Sequence, residues 1–338
     1  MELLLVQRRY DIDALRVIAI FLLMFYHCAI VFQPWARELL WFPQSGEHLE
    51  ILWSLMQALN IWRIPLLFVV SGVGFAFVMK QRNKKQLLSD RGVRILLPAV
   101  VGSIFIVPIH FWLLVVGTDQ EYVWSFTPSH LWFLFNIFIY VLVGIIPLYF
   151  LRNTKIKSVL VMTYSLSLLL GLETMIIPIT EYSGFAVTLH GFVVGGVCFC
   201  YGFFLAKSDS WKYLKVSAFG HLAFALGLFL SRILFWDNKA PMLLVSAEAS
   251  LWLLAVLGLA YRYLNKNMVW LNYLSPAVYP MYILHMIVMY AICRLMLPIT
   301  MPPELKFTII VSLTILGSYL GYCLLRQIPY LRKLFGMR

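Results

Sequence analysis

Apolar residues gather into ten long runs, at 14–33, 53–79, 93–117, 131–150, 158–178, 184–206, 216–236, 242–262, 271–297 and 307–325, with short polar segments between them. Each run is near the roughly 20 residues a helix needs to cross a bilayer. The pattern predicts an all-α, polytopic membrane protein of about ten transmembrane helices. The longest intervening segments, 34–52, 80–92 and 118–130, are too short for a soluble domain. Residues 1–338 therefore read as one integral-membrane domain with no separate soluble part, no internal repeat and no low-complexity stretch.

The polar positions that interrupt the runs carry the chemistry. The helix expected over 11–33 holds Arg16 and His27 inside an apolar span, and ionisable groups at bilayer depth usually face a cavity or a partner. Eleven residues are three turns plus roughly 20°, so both project from one face about 16 Å apart along the axis. Asp13, three residues before Arg16, can hold the guanidinium toward the helix start. Taken singly, Arg16 also reads as a snorkelling arginine and His27 as a histidine satisfied by a carbonyl. The helix begins with acidic residues and shows no small-residue cleavage site, so it is expected to be retained rather than removed as a signal peptide.

In the second run, Arg63 precedes a helix-bending Pro65 and is either an interfacial snorkeller or a cation aimed into a cavity. Ser71, Gly72 and Gly74 after it suit close helix packing. Arg91 and Arg94 lie where the third helix begins. Three positions apart, they are expected on one helical face, where guanidinium forks match a phosphate-bearing cytoplasmic ligand. His130 and Trp132 open the fourth run at the membrane interface. Gly195 to Gly202 reads as a close-packing segment, and Glu173 and Glu248 as buried acids without assignable partners. In the ninth run Pro280 kinks the helix between Tyr279 and Tyr282, and His285 falls near mid-membrane, where a polar partner or cavity is expected.

Composition narrows the class. Hydrophobic residues make up 62% of the chain, and 27 Lys and Arg against 15 Asp and Glu give a net charge of +12. Such a charge could suggest nucleic acid, but its distribution follows the positive-inside rule instead. With the N-terminus inside, the cytoplasmic segments carry Arg8 and Arg9; Lys80, Arg82, Lys84, Lys85, Arg91 and Arg94; Arg152, Lys155 and Lys157; Lys207, Lys212 and Lys215; Arg262 and Lys266; and Arg326, Arg332, Lys333 and Arg338. The opposite segments carry only Arg37, Lys239 and Lys306. Both termini are thus expected in the cytoplasm. Cys28, Cys198, Cys200, Cys293 and Cys323 all fall within spans and imply neither a disulfide framework nor a zinc site.

Five segments in order, YDIDALRVIAIFLLMFYH at 10–27, RIPLLFVVSG at 63–72, RGVRILLP at 91–98, HLWFL at 130–134 and VYPMYILH at 278–285, resemble the acyltransferase 3 family of bacterial inner-membrane acyl-transfer proteins. The second and fifth look most like the branch of glucan succinyltransferase-like proteins (glucans biosynthesis protein C), and a C-terminal hydrolase-like domain like that of the large O-antigen acetyltransferases is not expected. The resemblance implies transfer of an acyl group from cytoplasmic acyl-CoA, as acetyl-CoA or succinyl-CoA, to a hydroxyl of an extracytoplasmic glycan or related acceptor. It places the family's motif histidine on His27, its motif arginine on Arg16 and its cytoplasmic arginine pair, the expected acyl-CoA contacts, on Arg91 and Arg94. The expected catalytic set is His27, Arg16 and Asp13, and the expected substrate contacts are Arg63, His130, Trp132, Tyr282 and His285. An imidazole with a pKa near 6.5 can act as general base or transient acyl carrier, and nearby cations can stabilise the oxyanion. No metal and no nucleic acid are expected; membrane lipid is, and self-association is left open. The expected location is the bacterial inner membrane. A ten-helix secondary transporter of a small polar or anionic solute is the other reading of the composition, but such folds often show internal repeats.

Overall fold

In the computed structural model, described for residues 8–177, 188–236 and 240–337, ten apolar helical elements follow one another. They are α1 Tyr10–Ile30, α2 Ile51–Gln81, α3 Lys84–Val115, α4 Ser129–Gly144, α5 Val159–Ile176, α6 Leu189–Leu205, α7 Ser210–Trp236, α8 Met242–Tyr263, α9 Val269–Met296 and α10 Pro303–Leu325. Eight are long and apolar enough to cross a membrane, and α4 and α6 are shorter. At 1.5 Å per residue the latter two reach about 25 Å, short of the roughly 30 Å hydrocarbon core. There is no strand among the described residues, only an isolated bridge between Ile156 and Ser208. Lys239, Arg338, the end of the run at 158–178 and the start of that at 184–206 lie outside the described residues.

The segment 80–92 differs from the loop expected of it. Only Arg82 and Asn83 break the chain. Asn83 then starts α3 with a capping box, its side chain accepting from the Gln86 N–H while the Gln86 side chain accepts from the Asn83 N–H. This satisfies two of the donors a helix start leaves open. Within α3, Gly92–Leu96 and Gly102–Ile106 are wound as π turns. Each contains the residue four before a proline, Arg94 before Pro98 and Ile104 before Pro108. Proline cannot donate to that carbonyl and its ring clashes with it, and a π turn relieves the clash by widening the helix locally.

At the centre, α1 packs between α2 and α9 and also touches α8 and α10. Close approach of α2 and α6 rests on two glycines: a Cβ on Gly72 would lie 1.9 Å from the Phe199 carbonyl oxygen, and one on Gly202 would lie 2.0 Å from that of Val69. Small residues that let backbones touch are how helices associate where lipid removes the hydrophobic drive. The two acids left unmatched by the sequence both have partners. Glu248 on α8 receives Arg232 of α7 through Nε at 2.7 Å and Nη2 at 3.1 Å. Glu173 on α5 lies 2.8 Å from His190 Nδ1 of α6.

Candidate active site

Four helices bring four histidines together: His27 of α1, His110 of α3, His130 of α4 and His285 of α9. The His27 and His285 rings stack at 5.1 Å between centroids and 17° between planes. His130 stands edge-on to His285 at 5.1 Å, and His110 lies 5.7 Å from His130. His110, His130 and His285 are buried; His27 is only partly so.

The hydrogen bonds run in one direction. His285 Nδ1 donates to the Tyr282 carbonyl at 2.6 Å, which leaves its Nε2 as an acceptor in the neutral ring. That Nε2 is 2.9 Å from His27 Nδ1, so His27 carries its proton on Nδ1 and keeps a lone pair on Nε2. One imidazole thereby fixes the tautomer of the other, as a carboxylate or carbonyl commonly does for a working histidine. Tyr282 also donates through its hydroxyl to the His130 carbonyl, and His130 Nε2 donates to the Ile283 carbonyl at 3.2 Å. Helix α9 is therefore tied to α4 at the level of His285.

Arg63 lies beside this pair. Its guanidinium sits 3.9 Å over the Tyr26 ring, next to His27 on α1, and within electrostatic reach of both His27 and His285. The residue is 2% exposed, and its Nε and Nη1 donate to nothing. Buried polar groups without a partner cost roughly 1–3 kcal/mol, more when charged. Two such donors on one cation mark where an anionic or carbonyl oxygen can bind.

The remaining expected residues fall in two other places. Arg16 stands at the opposite end of α1, where its Nη1 lies 3.3 Å from Asp13 and its Nη2 would meet a Cβ on Gly74 of α2 at 2.6 Å. Asp13 also pairs with Arg8 at 2.8 Å. Arg91 faces the like charges of Arg16, Arg94 and Arg82, and Arg82 in turn pairs with Asp90. The interval between Arg91 and Arg94 is a π turn rather than the α-helical spacing assumed from sequence. Arg94 remains within electrostatic reach of Arg91 and also lines a pocket with Arg326 and Arg332. Trp132 packs against Phe68 and Phe133. So the structure gathers His27, His285, His130, Tyr282 and Arg63 into one site, and Arg16, Asp13 and Arg91 into a basic cluster nearer the start of α1, with Arg94 between that cluster and the adjoining pocket.

His110 and Tyr26 join the site without having been singled out in the sequence. A histidine inside the apolar run 93–117 was the available signal for the first; for the second there was none, since the ring's place under Arg63 depends on how α1 and α2 face each other. Among the described residues no group of three or more His, Cys, Asp or Glu is arranged to hold a metal.

A half-buried imidazole with a free Nε2, beside a guanidinium with two unbonded donors, can accept a proton from a hydroxyl and steady the charge that develops on a carbonyl. No curated protein and no solved structure matches the chain. The family model described as an acyltransferase domain matches residues 9–323, which includes every residue of the histidine site as well as Asp13, Arg16, Arg91 and Arg94, and leaves out Arg326 and Arg332. The chain belongs to that acyltransferase family.

Proposed function

We propose that the protein transfers an acetyl or succinyl group from cytoplasmic acyl-CoA to a hydroxyl of an extracytoplasmic glycan, with His27 as general base. The observation that carries this reading is the His27 Nε2 lone pair, fixed by the bond from Nδ1 to His285 and set beside the two unbonded donors of Arg63. The acceptor hydroxyl gives its proton to Nε2 as its oxygen attacks the thioester carbonyl. Arg63 donates to the oxyanion of the tetrahedral intermediate. When the carbon–sulfur bond breaks, the thiolate leaves with the proton that His27 holds, and free CoA and the ester result.

In this reading Arg16, Arg91 and Arg94 hold donor phosphates on the cytoplasmic side. The eleven residues from Arg16 to His27, about 16 Å of helix, are the reach asked of the pantetheine arm. The short α4 and α6 complete a ten-span bundle in the bacterial inner membrane with both termini in the cytoplasm, and the resemblance to the glucan succinyltransferase-like branch supplies a model for the acceptor. Self-association of the bundle is not required by it.

The purified protein with acetyl-CoA or succinyl-CoA and glycan acceptor should release CoA thiol, and His27→Gln should abolish the release while the protein still inserts and purifies. Near-normal turnover by His27→Gln would refute the assignment of the base. An acyl adduct on intact protein, present before acceptor is added and missing in His27→Ala, would replace direct attack by a relay. Mass spectrometry of envelope glycans with and without the gene would identify the acyl group and the acceptor together.

A further inference from the structure

A second polar pocket, of about 540 Å³, opens on the side of the bundle where Arg16 and Arg91 lie. It is lined by Arg94 of α3, Pro276 of α9, Tyr322 of α10, and Arg326, Arg332 and Gly336 of the segment after α10. Three arginines from two elements thus line one space, and no Asp or Glu lines it.

The C-terminal segment is built onto this place. The short helix Pro329–Leu334 is followed by Gly336 in a left-handed conformation, φ +66°. A Cβ there would lie 2.8 Å from the Arg94 carbonyl oxygen, 2.9 Å from the Tyr279 ring and 3.2 Å from Pro98. The turn is therefore seated on the π-wound stretch of α3, against the carbonyl that Pro98 cannot engage. Sequence puts Arg326 and Arg332 more than 230 positions from Arg94; the seat brings them to it. Both lie beyond residue 323, where the match to the family ends.

We propose that this pocket binds the 3′-phosphate of the acyl-CoA donor, with Arg326 and Arg332 completing a site that Arg94 begins. The assignment rests on the acyl-CoA reading above and goes beyond it by naming the group and the residues. A phosphomonoester carries a charge of about −1.5 to −2 at pH 7 and three acceptor oxygens. Several guanidinium forks arriving from different elements match that demand, whereas each phosphate of the donor's pyrophosphate offers a single negative charge. The volume leaves room for the adjoining ribose and adenine. Arg16 and Arg91, on the neighbouring face, remain for the pyrophosphate.

The test is calorimetric titration of the intact protein, in nanodiscs of phosphatidylcholine alone, with CoA and with 3′-dephospho-CoA. CoA should bind about tenfold or more tightly, the worth of one charge-assisted hydrogen bond or more. In R326Q/R332Q the two ligands should bind alike, at the strength of dephospho-CoA, and R326K/R332K should restore part of the difference because the charge is kept while the fork is lost. Arg152→Gln, on the same side but outside the pocket, should leave the difference intact. Unchanged melting temperature in the double variant excludes a folding defect, and the lysine variant reads out the site if the glutamine variant is unstable. Equal binding of both ligands by the parent, or a difference that survives in R326Q/R332Q, overturns the assignment and leaves the donor reading standing. Binding of neither ligand overturns both. A double substitution that instead strips phosphatidylglycerol from the protein in native mass spectrometry, with the CoA difference intact, makes the pocket a lipid site.

Discussion

Replacing His285 by leucine isolates what the second histidine does for the first. Leucine fills the site and keeps water out, but it cannot accept from His27 Nδ1, now 2.9 Å from His285 Nε2. In the resting enzyme that bond joins two neutral rings, worth about 0.5–1.5 kcal/mol. Once His27 holds the acceptor's proton the donor is cationic, and the same bond is worth about 1.5–3 kcal/mol. The difference, about 1–1.5 kcal/mol, is felt only on the way to the transition state, which corresponds to roughly a tenfold fall in kcat. The loss of a fixed tautomer adds to it. KM for acyl-CoA should stay near the parent value, since His285 is buried behind His27 and about three helical turns from the basic cluster. His285→Gln, whose amide oxygen can accept in place of Nε2, should recover part of kcat. The assay is steady-state thiol release, with melting temperatures measured alongside. Turnover by His285→Leu indistinguishable from the parent's would refute the orienting role, as would equal losses in kcat and KM that His285→Gln fails to relieve.

Arg63→Gln removes the buried charge beside His27 and should lower kcat by about 10²–10³, the usual cost of one oxyanion donor, with Arg63→Lys intermediate; steady-state kinetics with a fixed acceptor decide it. Glu248→Leu strands Arg232, whose side chain is 10% exposed, and should destabilise the fold by about 3–5 kcal/mol, while the double change to two apolar residues should regain most of that; unfolding in mixed detergent measures both. Gly72→Ala drives a Cβ to 1.9 Å from the Phe199 carbonyl oxygen and should lower the melting temperature sharply, whereas Gly227→Ala, with nothing within 4 Å, should be neutral or gain up to about 1 kcal/mol of helix propensity. Gly336→Val should unseat the C-terminal turn and weaken CoA binding in the same sense as R326Q/R332Q, read by the same titration.

Much of the architecture was legible in the chain because a membrane helix is encoded locally. Its length is set by the bilayer and its composition by the cost of polar groups in lipid, so each apolar run returns as a helix among the described residues, eight of them long and apolar enough to cross a membrane. The shared face of Arg16 and His27 follows from helical periodicity alone. Local rules also contain the π turns, through Pro98 and Pro108, although the loop expected over 80–92 concealed the capping box at Asn83 that makes α3 start early. What hydropathy leaves open is the rotation of each helix and its depth against the next, because lipid is as good a neighbour for leucine as another helix is. The pairing of His27 with His285, 258 positions apart, depends on that rotation. So do the seat of Arg63 over Tyr26, the arrival of His110, the matching of Glu248 with Arg232, and the return of Arg326 and Arg332 to Arg94. Sequence set which residues are costly in a membrane; only the packed bundle decided which of them meet, since each polar group settles where a partner or an opening lowers that cost.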